Sequence, residues 1–400
     1  MRTLLPPRRP VKRRSRSLFV IAIVLLFLLL WPNLPGDQII QTAGANRVAA
    51  ASDPVIAAAG DISCDPGNSP FNGGKGTSTS CRQKYTSDLL VNAGLAAVLD
   101  LGDNQYFCGG YQAYIQSYDL SWGRVKAITH PVPGNHEYLT SGGTGCDSFN
   151  SGAAGYFRYF GAAAGNPGQG YYSYDIGSWH LIALNSSCGD AGGCTTGSKQ
   201  YIWLKNDLAA HPNQCTLAYW HVPLFSSGGR ANNSSQPFWQ LLYQAKADIV
   251  LNGHDHIYER FAPQTPAGTV DNAKGIREFI VGTGGNNHTT IVAIAANSLV
   301  RDTTSFGVLE LTLHPDSYDW SFVPEGKGGF TDAGSAACHA PLPGTPAPTK
   351  TPTLTKTPKP TRTPTSTRTA TPTKSPSLPT RTPVQVPPPI IKIYLPVVLK

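Results

Sequence analysis

Short apolar runs in this chain repeatedly end in a glycine that is followed at once by a polar side chain. The clearest run spans residues 95–106 and reads Leu-Ala-Ala-Val-Leu-Asp-Leu-Gly-Asp-Asn-Gln-Tyr. Its apolar residues predict a buried strand, and Gly102 predicts a sharp turn that places Asp103 and Tyr106 at the carboxyl end of that strand. Ligands of open α/β sheets bind outside this end of the strands. The run therefore favours an α/β fold with a polar site at one edge of the sheet.

Apolar runs alternate with helical patterns from residue 53 to residue 340, which is typical of an α/β domain. We predict strands at Val55–Ala59, Leu95–Leu101, Val125–Thr129, Tyr171–Ile176, His180–Leu184, Thr216–Trp220, Ile249–Leu251, Glu278–Val281, Gly307–Leu313 and Tyr318–Val323. We predict helices at Arg82–Asn92, Tyr111–Trp122, Lys199–Ala210 and Gln236–Ala245.

Five polar motifs follow strands of this pattern. In chain order they are Gly60-Asp61, Gly102-Asp103-x-x-Tyr106, Gly134-Asn135-His136-Glu137, His221 and Gly253-His254-x-His256. Their carboxylates, phenol, amide oxygen and imidazoles form a mixed oxygen and nitrogen set that suits iron, zinc or manganese rather than calcium. A carboxylate can bridge two cations, and two histidines in one tight turn can point to two metals about 3.5–4 Å apart. The motifs therefore predict a site for two metal ions.

This series of motifs resembles the calcineurin-type metallophosphoesterases, and the variant with Tyr106 is similar to the purple acid phosphatases. The resemblance covers about Val55–Pro324 and includes Tyr258-Glu-Arg260 and Gly282-Thr-Gly-Gly285. Many metallophosphoesterases have histidine two residues after the first aspartate, and purple acid phosphatases usually have glycine there, whereas this chain has Ser63. The resemblance implies a four-layer α/β/β/α sandwich.

The resemblance also implies a division of the metal ligands. The residues expected to hold Fe(III) are Asp61, Asp103, Tyr106 and His256. The residues expected to hold Fe(II), zinc or manganese are Asp103, Asn135, His221 and His254. A phenolate is a hard anionic donor that favours the trivalent ion. By the same resemblance, His136 is the expected proton donor to the leaving oxygen, and Glu137 is expected to lie behind the ligands.

Other polar residues lie near the motifs or elsewhere in the domain. Arg230 lies in the loop Phe225–Arg230 after His221, where it could clamp a phosphate in bidentate fashion or simply face solvent. His288 follows the glycine turn and could reach the site. The remaining histidines are expected to be packing or surface residues: His130, His180, His211, His314 and His339.

The resemblance implies an enzyme that hydrolyses small-molecule phosphate monoesters by attack of a metal-bound hydroxide. A phosphodiesterase or nucleotidase on the same fold is the alternative of similar chemistry. A surface-binding module that keeps the fold without turnover is the alternative of another class. Substrate identity and oligomeric state do not follow from the sequence.

The charge of the middle segment argues against nucleic acid as a partner. Residues 53–340 contain 15 Lys and Arg against 23 Asp and Glu, a net charge of −8, whereas the whole chain has a net charge of +8. The basic excess therefore lies in the termini, and the folded part is acidic. The basic C-terminal tail could instead bind anionic cell-wall polymer or the cell envelope.

The first 51 residues are typical of an export segment. Met1–Ser17 contains seven Lys or Arg, and Leu18–Trp31 is an unbroken run of fourteen apolar residues. Because a membrane span needs about 20 apolar residues, a secretory signal is favoured, with an uncleaved membrane anchor as the alternative. We therefore expect an extracellular or cell-surface protein.

The C-terminal part is compositionally distinct from the middle. Residues 341–389 are rich in Thr and Pro, so they predict either a disordered linker or an extended stalk outside the catalytic domain of residues 53–340. Residues 390–400 form a short apolar peptide that is either a sorting or docking tag or a strand that caps the domain.

Eight cysteines lie between residues 64 and 338. An even number of cysteines in an exported chain predicts disulfide bonds. Cys188 and Cys194 bracket a short glycine-containing loop and are expected to pair, while the other pairings are open.

Overall fold

A computed structural model describes residues 53–212 and 215–339. The predicted signal or anchor (1–51), the Thr/Pro-rich segment (341–389) and the apolar peptide (390–400) lie outside the described residues. Among the residues that are described, no helix is long and apolar enough to cross a membrane.

Two mixed sheets form the centre of the described domain. The strands are β1 (Val55–Ala59), β2 (Ala97–Asp100), β3 (Thr129–Pro131), β4 (Tyr172–Ile176), β5 (Trp179–Ala183), β6 (Cys215–Tyr219), β7 (Ile249–Asn252), β8 (Tyr258–Phe261), β9 (Arg277–Val281), β10 (Ser298–Asp302), β11 (Gly307–Leu313), β12 (Ser317–Pro324) and β13 (Ala333–Ala337). The first sheet has the order β13-β12-β11-β1-β2-β3 and the second the order β10-β8-β9-β7-β6-β5-β4. The strands β1-β2-β3 are parallel in the first sheet, and β5-β6-β7-β9 are parallel in the second.

The connections contain short helices and single helical turns. The helices are α1 (Gln83–Asp88), α2 (Tyr111–Ala113, continued by a wider turn at Tyr114–Tyr118), α3 (Ala154–Phe160), α4 (Lys199–Ala210) and α5 (Gln236–Gln244). The tighter turns are Ser69–Gly74, Trp122–Ile128, His136–Tyr138, Ser148–Ala153, Gly161–Ala164 and Asn233–Ser235. The strand predicted at Val125–Thr129 is wrong, because those residues are mostly helical and pairing with β2 begins only at Thr129. The helix predicted at Arg82–Asn92 ends early, at Asp88.

Alternating side chains of the second sheet enter two separate cores. In β7, Ile249 and Leu251 lie in the core shared with the first sheet, whereas Val250 lies in the core that α4 and α5 cover. This follows from the period of two residues in a strand. On the first sheet, the Tyr118 hydroxyl of α2 donates to Asp100, and the Tyr156 hydroxyl of α3 donates to the Pro131 carbonyl oxygen. Helices therefore cover both sheets, and the predicted four-layer α/β/β/α sandwich is confirmed.

Four disulfide bonds connect the described cysteines. They are Cys64–Cys81, Cys108–Cys146, Cys188–Cys194 and Cys215–Cys338. The predicted pair Cys188–Cys194 is confirmed. Cys108–Cys146 holds the loop that follows Tyr106, and Cys215–Cys338 connects the start of β6 to the end of the described chain.

Candidate metal centre

The predicted ligands lie in turns at the carboxyl ends of the strands. Asp61, Asp103 and His254 follow β1, β2 and β7, and all three have left-handed backbones, with φ of 58°, 47° and 71°. A non-glycine residue in this region costs about 1–3 kcal/mol, and such residues cluster at functional sites. The turns therefore hold these three side chains in a conformation that packing alone rarely selects.

The glycines of the motifs let neighbouring turns touch. A Cβ atom on Gly134 would lie 2.1 Å from Asp103 Oδ1, and a Cβ atom on Gly102 would lie 2.6 Å from His221 Cβ. No side chain fits at such distances. The glycines are therefore needed because strand ends that are far apart in sequence converge here.

One group of donor atoms surrounds the Tyr106 hydroxyl. This oxygen lies 3.0 Å from Asp61 Oδ1, 3.1 Å from Asp103 Oδ2 and 3.0 Å from His256 Nε2. His256 Nε2 is also 3.2 Å from Asp61 Oδ1. The structure thus brings together the four side chains that the resemblance assigns to Fe(III).

A second group shares the same Asp103 oxygen. Asp103 Oδ2 lies 3.2 Å from His221 Nε2, which in turn lies 3.2 Å from His254 Nδ1. Asn135 belongs to the turn in which the neighbouring His136 backbone N–H donates to Asp103 Oδ1 at 2.9 Å. Because Asp103 Oδ2 contacts both groups, it occupies the position that a bridging carboxylate would need.

The remaining ring nitrogens fix two of the imidazoles. His221 Nδ1 donates to the Leu101 carbonyl oxygen at 2.9 Å, and His256 Nδ1 donates to the Asn287 carbonyl oxygen at 2.9 Å. A carbonyl can only accept, so each Nδ1 carries the proton. Each Nε2 therefore faces the site and becomes available as a metal ligand once it has lost its proton, the orientation that metal-binding histidines need.

Neighbouring groups in this cluster have pKa values that are shifted in opposite directions. Burial acts to lower the pKa of His221, but the Asp103 carboxylate raises it to about 9. Burial and the neighbouring His221 lower the pKa of His254 to about 4. Burial and the two carboxylates raise the pKa of the Tyr106 phenol. Cations would remove these opposing shifts, because metal binding displaces protons from such donors.

The donor set fits two metal ions. Among the described residues, buried Asn135 Oδ1 has no hydrogen-bond partner, which leaves an oxygen lone pair available. Carboxylate, phenol and amide oxygens together with imidazole nitrogens suit iron, zinc or manganese. The residues present are therefore chemically suited to the cations that the sequence predicts.

The Glu137 carboxylate connects the turn at Gly134 to the turn at residues 103–105. Its buried carboxylate accepts backbone N–H bonds from Gly134 at 2.7 Å, Asp103 at 3.1 Å, Asn104 at 2.9 Å and Gln105 at 3.2 Å. Burial, together with the Asp103 charge, raises the pKa of Glu137 to about 7. Glu137 thus positions the backbone that carries the predicted ligands.

His136 lies at the open side of the cluster. Its Nδ1 donates to the Phe107 carbonyl oxygen at 2.6 Å, and its Nε2 is 3.8 Å from Asp103 Oδ2. The side chain is 19% exposed, in contrast to the fully buried His221. His136 can therefore be reached from solvent while it remains beside the cluster.

The chain matches the calcineurin-like phosphoesterase family over residues 56–258, about half of its length. It belongs to this family. Purple acid phosphatases 15 and 23 of Arabidopsis thaliana are 32% and 33% identical to it over 164 and 158 residues, which is 38% and 35% of this chain. The matches span only 29% and 32% of those relatives. The predicted resemblance to purple acid phosphatases is confirmed.

Two solved structures share the fold. A purple acid phosphatase from yellow lupin (Lupinus luteus) has a TM-score of 0.58 and is 19% identical, covering 72% of this chain and 54% of its own. The structure of PhoD has a TM-score of 0.50 and is 12% identical, covering 72% of this chain and 70% of its own. At these identities, the likeness shows the fold alone.

Arg230 lies beside the loop that carries His254. Its Nη1 donates to the His254 carbonyl oxygen at 3.3 Å, its Nε is 4.0 Å from Asp255 Oδ1, and its side chain is 47% exposed. Ser63 is buried, and its carbonyl oxygen accepts the Tyr106 backbone N–H at 2.8 Å. Ser63 thus supports Tyr106 through its backbone, whatever its side chain.

Residues after the glycine turn support His256 but were not predicted to do so. Thr289 Oγ1 accepts the His256 backbone N–H at 3.1 Å, in addition to the contact of the Asn287 carbonyl oxygen with the His256 ring. His288 packs on the Phe306 ring at 4.0 Å and contacts the His256 carbonyl oxygen rather than a ligand side chain. The Gly-Thr-Gly-Gly turn is the only signal in the sequence that marks this segment.

Proposed function

We propose that this protein is a dinuclear-metal phosphoesterase of the purple acid phosphatase type that hydrolyses phosphate monoesters. The observation that carries the proposal is the position of Asp103 Oδ2, 3.1 Å from the Tyr106 hydroxyl and 3.2 Å from His221 Nε2. One carboxylate oxygen is thereby common to the group around Tyr106 and the group around His221. Membership of the calcineurin-like phosphoesterase family supports the reaction class.

The proposed ligands of Fe(III) are Asp61, Asp103, Tyr106 and His256. The proposed ligands of Fe(II), zinc or manganese are Asp103, Asn135, His221 and His254. When bound, such a pair of cations supplies activation of water and stabilisation of the charge that develops on the phosphoryl group.

His136 is proposed to donate the proton that the leaving oxygen needs. Its Nδ1 is held by the Phe107 carbonyl oxygen, which leaves Nε2 facing the cluster as the atom that would deliver the proton. General acids at such positions contribute about 10²–10⁴-fold to the rate. Arg230 is proposed to bind phosphate oxygens, because its half-exposed guanidinium lies beside the His254 loop.

We propose an extracellular or cell-surface location for this activity. Four disulfide bonds in the described domain support an oxidising compartment. The basic, Thr/Pro-rich tail is proposed to bind the cell wall or envelope, while the acidic domain acts on soluble esters.

Colour and metal content test the proposed site. If Tyr106 binds Fe(III), the purified protein should absorb visible light through phenolate-to-iron charge transfer, and it should contain two metal ions per chain. Tyr106→Phe should abolish this absorption and keep the far-ultraviolet circular dichroism of the wild type. An active but colourless protein with two zinc or manganese ions would contradict the purple type. Absence of turnover on every monoester, with turnover of diesters or nucleotides, would favour the alternative phosphodiesterase or nucleotidase.

A further inference from the structure

A cavity of about 420 Å³ is lined by Phe107, the residue whose ring packs against His136. The described residues that line it are Asp65, Gly67, Asn68, Phe107, Gly142, Gly143 and Thr144. Three of these are glycines, and Phe107 is the only large side chain among the lining residues that the structure describes. The cavity therefore presents one aromatic surface to whatever enters it.

Phe107 is both exposed and tightly held. Its side chain is 42% exposed, although a large apolar side chain is more stable when buried. The ring packs edge-on against His136 at 4.9 Å, and the Phe107 carbonyl oxygen binds His136 Nδ1. A Cβ atom on Gly142 would lie 2.5 Å from the ring, so the loop backbone supports it, and the next residue, Cys108, is bound to Cys146. The exposed ring is thus a fixed surface rather than a freely moving side chain.

Asp65 fixes the loop that forms another part of the cavity wall. Its carboxylate accepts the Thr144 backbone N–H at 2.6 Å, the Thr144 hydroxyl at 2.9 Å and the Gly67 backbone N–H at 2.7 Å. These bonds connect residues 79 positions apart and commit the carboxylate to the loop. Among the described lining residues there is no Lys or Arg to attract an anionic group.

We propose that this cavity binds the alcohol part of the substrate and that Phe107 selects uncharged aromatic or other flat apolar leaving groups. The inference rests on the proposed function, because it takes His136 as the donor to the leaving oxygen. Tyr106 and Phe107 both pack on His136, and of these two rings Phe107 is the exposed one. An alcohol whose oxygen meets His136 Nε2 can therefore place its carbon atoms against the Phe107 ring. Stacking on a preformed aromatic face favours a flat ring over a small alkyl chain.

Benzyl phosphate and ethyl phosphate test the proposal, because both release alkoxides and so both need the proton. Wild-type protein should have the higher kcat/KM for benzyl phosphate. Phe107→Ala should lower the benzyl-to-ethyl ratio of kcat/KM by about tenfold, mainly through KM, and change the ethyl value little. Phe107→Leu, which keeps an apolar side chain, should give an intermediate ratio and provides a test if the alanine variant folds poorly. Phe149→Ala is the matched control, since Phe149 is 88% exposed and does not line this cavity.

The outcomes separate this proposal from the one on which it rests. An unchanged benzyl-to-ethyl ratio in both Phe107 variants would overturn the leaving-group site, although the enzyme would remain a phosphoesterase. Equal losses on both esters would also overturn it, because they would show that Phe107 acts only by orienting His136. Absence of wild-type turnover on either ester and on an activated aryl phosphate would instead refute the proposed function.

Discussion

The described domain has a cluster of histidine and aspartate at each end of its seven-stranded sheet. Asp103, His221 and His254 meet at the carboxyl ends of the parallel strands. His180, Asp207 and His211 meet at the opposite end, since His180 is near the start of β5. In both clusters the side chains offer ligand atoms within 4.8 Å of one another. Residue type and proximity alone therefore do not separate a metal centre from a structural network.

The cluster at the start of β5 balances its own charge. His180 Nδ1 lies 2.7 Å from Asp175 Oδ1, and His180 Nε2 lies 2.9 Å from Asp207 Oδ2. Asp207 Oδ1 also accepts the Ser173 hydroxyl at 2.7 Å. Burial acts to lower the pKa of His180, but the two carboxylates raise it above its ordinary value. One imidazolium held between two carboxylates satisfies every partner and needs no cation.

The candidate metal centre has no such balance. Two imidazoles, His221 and His254, face each other across 3.2 Å, and their pKa values are driven apart to about 9 and about 4. In the described part of the chain, Asn135 Oδ1 is buried without any partner. The difference teaches that crowded donor atoms with opposing pKa shifts and an unpartnered buried oxygen mark a cation site. Saturated hydrogen bonding marks an ion pair.

The largest expected difference is between Asp103→Asn and Asp207→Asn. Loss of the shared carboxylate oxygen should lower kcat by about 10³-fold or more and reduce the metal content below two ions per chain. Asp207→Asn should keep both the activity and the metal content, while lowering Tm by about 5 °C because it leaves His180 with one carboxylate. Enzyme assays, metal analysis and thermal unfolding measure the three quantities. Loss of metal from Asp207→Asn would show that the His180 cluster is not merely an ion-pair network.

The local sequence pattern correctly predicts the bounds of several elements. The strands at Val55–Ala59 and Gly307–Leu313 and the helix at Lys199–Ala210 have the predicted bounds. Val125–Thr129 contains three β-branched residues, yet its strand begins only where Thr129 pairs with Val98. The start of this strand is determined by pairing with a distant segment, and the local sequence pattern carries no information on that pairing.

The candidate site could be predicted as far as the residues within its motifs. Asp103 and Tyr106 share one turn, so their spacing already places them together. Asp65 contacts Thr144 across 79 positions, and Asn287 contacts the His256 ring from another loop. Such contacts depend on how loops meet in the fold. This is why the supporting residues and the Phe107 cavity could not be found from spacing.

His136 belongs to the metal centre by position but is not expected to hold a metal. His136→Ala should therefore keep both ions, while kcat for alkyl phosphates with poor leaving groups falls by about 10²–10⁴-fold. An activated aryl phosphate scarcely needs the proton, so its turnover should fall much less. His211→Ala in the other cluster is the matched control and should leave both rates unchanged. Equal losses on the two kinds of ester would exclude His136 as the proton donor.

The smallest expected effect is the contribution of His180 to the pH dependence of the stability. The folded protein binds the His180 proton more tightly than the unfolded chain does, because Asp207 and Asp175 raise its pKa above 6.5. The resulting stabilisation is complete below pH 6.5 and is lost as the pH rises through the folded-state pKa. The difference in Tm between wild type and His180→Gln should therefore be larger at pH 6 than at pH 9, by about 2–4 °C.

Asp175→Asn should reduce this pH dependence, since it removes one of the two carboxylates. A difference in Tm that does not change with pH would show that His180 is neutral in the folded protein. The charge balance that separates the two clusters would then be lost.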